Sequence, residues 1–229
     1  MRKVLAILPF KVDDSTLESH GRILQADAAP RGTSIAAVSL QRGPAPADFS
    51  RPGFEHAITD IVDLAMRHQR ECDGIMISCF EDPGLAEVRQ VSRVPVVAPC
   101  ETALQLARAA GGRFFIISPD RESEPLYRRF AAEMGLAGSF DSFVHVPFEI
   151  EGVSGNEALP DQVAAAIADA RRRSDADLAL LGCTAFTECY DGIVARAGGR
   201  IIEPARAAIR MLELLIDLQL QRRGNDGRG

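Results

Sequence analysis

Lysine occurs only at positions 3 and 11, and the chain carries neither a Gly-x-Gly-x-x-Gly fingerprint nor a Walker phosphate loop. Nothing in it therefore points to a bound nucleotide or a nucleotide-derived cofactor. No two cysteines form a Cys-x-x-Cys pair, and the four histidines (20, 56, 68 and 145) have no ligand spacing with each other or with a cysteine. A zinc site has no support in that pattern. No apolar run approaches the ~20 residues that span a bilayer. A basic excess is missing as well: the formal charge of -6 and the pI near 5.3 argue against a nucleic-acid or anionic-membrane partner.

The opening Met1-Arg2-Lys3, with the apolar residues 4–8 behind it, faintly mimics a signal peptide. The run is short, and Lys11, Asp13 and Asp14 stand where a small-residue cleavage site would fall, so a first β-strand is expected. Five cysteines, an odd number without a secretory leader, read as free thiols in a reduced, cytoplasmic setting.

What the chain does have is length and apolar content. With 229 residues, 46% of them hydrophobic, it can build one sizeable domain or two lobes of about 100 residues each. Short apolar runs alternate with longer amphipathic stretches, the pattern of β-α units around a mainly parallel sheet. Strands are expected over 4–8, 34–38, 74–78, 94–97, 114–118, 143–146, 178–181 and 200–202. Helices are expected over 15–28, 54–71, 83–91, 101–109, 124–134, 160–174, 187–197 and 204–222, with Pro83, Pro125, Pro160 and Pro204 at or near their starts. Residues 41–52 and 148–156 read as loops, and 224–229 as a frayed tail. In the last helix Ile209, Leu212, Leu215, Ile216 and Leu220 form an apolar stripe, suited to packing on a sheet or to self-association.

Two cysteines occupy near-identical settings. Cys79 comes after Gly74-Ile75-Met76-Ile77-Ser78, with Asp73 ahead of the run; Cys183 comes after Leu178-Ala179-Leu180-Leu181-Gly182, with Asp177 ahead. Each reads as the carboxyl end of a strand turning into a helix, where open α/β sheets bind ligands. A helix N-terminus there would lower a thiol pKa towards neutrality, and a thiol poised near the working pH both takes and gives a proton. With one thiolate and one thiol on opposite faces of a substrate carbon, the pair would invert that centre without a cofactor. A single cysteine at a strand end is commonly core filler, and the matching is what raises this pair above that. Cys72, Cys100 and Cys189 lack matched settings and read as packing.

The segments Cys79-Phe80-Glu81-Asp82-Pro83-Gly84-Leu85 and Leu181-Gly182-Cys183-Thr184 resemble the aspartate/glutamate/hydantoin racemase superfamily. The Asp-Pro-Gly-Leu stretch looks most like its hydantoin and allantoin racemase branch. Pro95-Val96-Val97 leading to Glu101-Thr102-Ala103, and Ile201-Ile202-Glu203-Pro204, match as well. The resemblance implies an α/β fold of two similar lobes, each a mainly parallel sheet flanked by helices, related by a pseudo-two-fold with the active site in the cleft between them. Lobe 1 would be 1–97, with 204–222 returning to it; lobe 2 would be 98–203, leaving 223–229 frayed.

It further implies Cys79 and Cys183 as the two acid/base residues, no cofactor, no metal, a small-molecule substrate and association into homo-oligomers. Thr184 and N–H groups near both cysteines would stabilise charge on the substrate, and Ser118 matches a position that turns a hydroxyl to the ligand or simply caps a turn. The family's Asn-Pro-Asn-hydroxyl first loop is replaced by Pro9-Phe10-Lys11-Val12-Asp13, where only the proline persists. Phe10 and Lys11 would offer an aromatic wall and a cation instead. Phe80-Glu81 stands where the amino-acid racemases carry Asn-Thr, which disfavours free aspartate or glutamate; Phe80 is either a substrate contact or core. The expected activity is a cofactor-independent racemase of a hydantoin-like ring. The alternatives are a maleate-isomerase-like or decarboxylase-like enzyme, a non-catalytic binding protein, or a redox switch closing a Cys79–Cys183 disulfide, which needs Cα atoms within about 7 Å.

Overall fold

Asp13 opens the first helix by accepting the Thr16 N–H at 2.8 Å, the cap that its short carboxylate makes best. In the computed structural model this helix, α1 (Asp14–Ala28), joins strand β1 (Arg2–Leu8) to β2 (Thr33–Ser39). Next come α2 (Arg51–His68), β3 (Gly74–Ile77), α3 (Leu85–Val91) and β4 (Val96–Val97). The second run comprises α4 (Pro99–Ala110), β5 (Phe114–Ser118), α5 (Glu124–Glu133), β6 (Phe140–His145), α6 (Leu159–Arg173), β7 (Leu178–Leu181), α7 (Tyr190–Ala197) and β8 (Arg200–Ile202), before the last helix α8 (Pro204–Asp217). The structure describes residues 1–45, 51–148, 153 and 155–220, without the side chains of 51–55. Most of the expected loop at 148–156, part of that at 41–52 and the tail 223–229 lie outside the described residues.

The chain divides into two compact units, Met1–Ala98 with the segment from Ala208 onward, and Pro99–Ala207. Each holds one four-stranded parallel sheet, ordered β2-β1-β3-β4 in the first and β6-β5-β7-β8 in the second. The two orders are the same once the strands are counted within each unit. Among the described residues no helix is long and apolar enough to cross a membrane.

Continuous apolar runs such as Ile75-Met76-Ile77 and Leu178-Ala179-Leu180-Leu181 are buried on both faces, as strands central to a helix-covered parallel sheet must be. One face of the first sheet packs Leu5, Ile7, Ile75 and Ile77 against Ala57, Ile61 and Ala65 of α2 and Val88 of α3. On the other face a Cβ at Gly74 would lie 2.7 Å from Leu212 Cδ1, so glycine lets α8 settle on the sheet. The stripe of α8 serves this packing: Ile209 and Leu212 are fully buried, Leu215 and Ile216 half-buried, while Leu220 is exposed together with Leu214 and Leu218.

Several boundaries differ from the sequence expectation, each for a local reason. Strand β4 is two residues long rather than 94–97. Pro95 has no N–H to give to the ladder, although its carbonyl still accepts from Ile75 at 2.9 Å. Helix α3 starts at Leu85 rather than Pro83, because Asp82 (φ 51°) and Gly84 (φ 72°) are left-handed and turn the chain first. Strand β6 begins at Phe140, three residues early, on a sheet edge where the polar Asp141 and Ser142 weaken the apolar signal. Helix α7 starts at Tyr190 rather than 187, behind a 3-10 turn over Thr184–Glu188. Helix α8 ends at Asp217, where left-handed Gln219 (φ 54°) lets the Leu220 N–H close on Leu215 O at 2.9 Å.

Candidate active site

In both units the ladder runs one residue beyond the central strand and then delivers a cysteine. Ser78 N–H donates to Ile7 O at 2.7 Å, and Gly182 N–H donates to Ile117 O at 2.6 Å. Cys79 and Cys183 are the next residues, so each thiol stands at the carboxyl end of an inner strand of its unit's sheet. None of the five cysteines is joined in a disulfide. Cys79 is 5% exposed and Cys183 9%.

The chain leaves the two thiols differently, and neither leads straight into an α-helix. After Cys79 it turns through Asp82 N–H to Cys79 O (3.1 Å) and Leu85 N–H to Asp82 O (3.3 Å) before α3 begins. After Cys183 the 3-10 turn Thr184–Glu188 starts immediately. The Thr187 hydroxyl donates to Thr184 O at 2.7 Å and lies 2.9 Å from Glu203 Oε1. Glu203 is 4% exposed and caps α8 by accepting from Ala205 N–H (3.0 Å) and Arg206 N–H (2.7 Å). Burial raises its pKa, against the lowering effect of those hydrogen bonds. One carboxyl group thus ties the loop after Cys183 to the start of the last helix.

Of the expected substrate contacts, Phe10 packs directly with Cys79, flanked by Val12, and is itself 8% exposed. Pro9 is buried and Lys11 exposed. Their loop is held by Leu40 N–H to Phe10 O (3.0 Å) and Lys11 N–H to Pro44 O (2.9 Å). Phe80 is 2% exposed. Thr184 is half-buried at the head of its turn. Ser118 lies against Gly182, where an added Cβ would come within 3.3 Å of its own. Its hydroxyl accepts the Asp120 N–H at 3.3 Å, the bond of a turn residue.

The other cysteines are set apart chemically. Burial pushes the Cys72 and Cys189 thiols up to about 11, which leaves them protonated and inert at neutral pH. Cys100 is fully buried within α4. Among the described residues no group of three or more His, Cys, Asp or Glu is placed to hold a metal ion.

Motif reading passed over His20, Ser78 and Thr187, all close to the thiols. His20 Nε2 lies 2.8 Å from Ser78 Oγ, and burial alone depresses its pKa to about 4. Thr187 links the loop after Cys183 to Glu203. The signal for His20 was present: with Leu17, Leu24 and Ala28 it lies on the apolar stripe of α1, an odd place for an imidazole. For Thr187 no signal existed, because Glu203 is remote from it in sequence.

The pattern of the Asp/Glu/hydantoin racemase family matches residues 14–212. The hydantoin racemase of Paenarthrobacter aurescens is 28% identical over 209 residues, 86% of this chain and 86% of its own. That of Pseudomonas sp. (strain NS671) is 25% identical over 196 residues, covering 83% of this chain and 77% of its own. Allantoin racemase from Klebsiella pneumoniae shares the fold, with a TM-score of 0.87 at 22% identity over 99% of this chain and 92% of that one. Spanned almost end to end by that pattern, the chain belongs to the Asp/Glu/hydantoin racemase family and is an isomerase of the racemase type.

Proposed function

We propose that this racemase inverts an acidic Cα–H centre in a hydantoin-like ring or related small molecule, with Cys79 and Cys183 as its two acid/base residues and no cofactor. The observation that carries this reading is the matched placement of the two thiols. Each stands one residue past the last ladder bond of its sheet, Ser78 to Ile7 and Gly182 to Ile117, while the thiols of Cys72 and Cys189 are held inert by burial.

One cysteine acts as thiolate and takes the Cα proton; the electron pair moves onto the adjacent carbonyl as an enolate. The other acts as thiol and gives its proton to the opposite face of the same carbon. The carbon is inverted, the two sulfurs have exchanged protonation states, and solvent or the reverse reaction resets them. Thr184 and backbone N–H groups beside the cysteines stabilise the enolate oxygen. Phe10, packed on Cys79, presents an apolar wall to a ring rather than a hydrogen-bonding grip for an amino-acid carboxylate. The Asp82-Pro83-Gly84 turn and the two hydantoin racemase relatives support a ring substrate.

The test is a panel of enantiopure 5-substituted hydantoins, allantoin and free amino acids, monitored by polarimetry without added cofactor. Loss of rotation at constant mass on the ring compounds is the expected result. Loss of rotation only on amino acids would overturn the substrate class, and a change of mass would overturn the reaction.

A further inference from the structure

The imidazole of His20 plays no part in these proton transfers, yet it is tied to the residue next to a proposed catalytic thiol. Helix α1 comes down onto the first sheet at Gly21, where an added Cβ would meet Ala37 Cβ at 3.2 Å. That close approach brings His20 Nε2 to 2.8 Å from the Ser78 hydroxyl. Ser78 is 1% exposed, and its N–H is bonded to Ile7 O at 2.7 Å. Backbone and side chain of Ser78 are therefore both held, from two different elements. Cys79 is the next residue, with its own N–H turned back to Ile77 O at 3.0 Å.

A serine hydroxyl at 2.8 Å from an imidazole is also the geometry of an activated nucleophile. The direction of its side chain gives Ser78 a different role. In the ladder, side chains alternate between faces, so Ser78 shares the face of Gly74, which α8 covers, opposite Ile75 and Ile77. On its own face the Ser78 hydroxyl meets His20 of α1. The same alternation gives the pair another use. Anchoring Ser78 on one side fixes the orientation of the peptide plane leading to Cys79, and with it the direction in which the Cys79 side chain leaves, towards Phe10 and Val12.

We propose that His20 is a positioning residue for Cys79, acting through the Ser78 hydroxyl; the inference rests on the reading of Cys79 as one of the two proton carriers. The second thiol has no such tether. The residue before Cys183 is Gly182, held by close packing on Ile116 and Ile117 and by Tyr127 Oη at 3.4 Å from its carbonyl oxygen. Burial keeps the imidazole neutral down to about pH 4, so it offers Ser78 one N–H or one lone pair rather than a charge.

Cys183 is the internal control for the test. In full-length His20→Leu, the rate of alkylation of Cys79 by iodoacetamide should change by about fivefold, the size of a lost part-buried hydrogen bond, while Cys183 in the same sample keeps its parent rate. His20→Gln, whose amide reaches about as far as Nε2, should restore the Cys79 rate. Racemisation should change in parallel: kcat falls with the Cys79 change and KM stays within about twofold. Ser78→Ala removes the other half of the pair and should reproduce the effect, with the double variant no worse than either single one. Equal changes at both thiols, or an unaltered Cys79 in both His20→Leu and Ser78→Ala, would overturn the proposal. A selective change at Cys79 in a protein that racemises none of the panel supports the positioning role and sends the fault to the proposed reaction.

Discussion

The two thiol stations share one backbone plan and are braced in opposite ways. At the first, a side-chain pair from different elements, His20 and Ser78, holds the residue before the cysteine, and a left-handed turn at Asp82 and Gly84 separates the thiol from α3. At the second, the residue before the cysteine has no side chain, and the 3-10 turn beyond the thiol is strapped by Thr187 to the Glu203 cap of α8. The side-chain hydrogen bond at the first station falls before its cysteine, and the one at the second falls after it. A duplicated fold therefore keeps what parallel-sheet geometry imposes, the strand order and the bond just before each thiol. It leaves the local supports free to diverge, because a peptide can be fixed equally well from either side.

The sharpest way to break the comparison is to remove the thiols in turn. Cys79→Ser and Cys183→Ser should each lower racemisation by about a hundredfold to ten-thousandfold, the range of a lost general acid or base. In D₂O, each variant that still exchanges a Cα proton should do so with one enantiomer only, and with opposite enantiomers for the two variants. Racemisation at the parent rate in both variants would remove the proposed roles.

A smaller difference concerns pH, since the residue before the first thiol is held by an imidazole. The folded-state pKa of His20 is lowered from 6.5 to about 4, so the folded protein binds that proton less well than the unfolded chain does. Its contribution to stability is complete above about pH 6.5 and is lost as the pH falls towards 4, up to about 3 kcal/mol across that interval. Urea unfolding at pH 7 and pH 4.5 should show a shallower acid loss in His20→Leu than in the parent. Identical slopes for the two proteins would mean that the imidazole is as easily protonated folded as unfolded.

The smallest contrast sets Gly182→Ala against Ser78→Ala. The new methyl at 182 would lie 2.8 Å from both Ile116 Cγ2 and the Ile117 carbonyl oxygen, which as backbone cannot swing aside. That overpacking should cost about 1–3 kcal/mol, against about 1 kcal/mol for the hydroxyl lost at 78. Thermal melts read the ordering directly, and a Gly182→Ala protein as stable as the parent would show that packing does not brace the second station.

How much of this was legible in the sequence differs between particular residues. The apolar runs at 74–78 and 178–181 announced their strands, since a strand buried on both faces has no polar position to break the run. The thiols stood out because the same short context occurs twice. Pro95 and the Asp82-Pro83-Gly84 turn misled the boundaries. A proline is acceptable at the start of a strand or helix, and only the surrounding hydrogen bonds show where the regular structure begins. The contact between Phe10 and Cys79 was half visible, an aromatic in a loop already singled out.

The sequence by itself determined the α/β class, the family and the matched settings of the two cysteines, because periodicity and short motifs are local properties of the chain. The tertiary structure alone decided what braces each cysteine. His20 meets Ser78 across 58 residues and Thr187 meets Glu203 across 16. Hydrogen bonds between residues that far apart depend on how a helix lies on a sheet, and no local pattern encodes that placement.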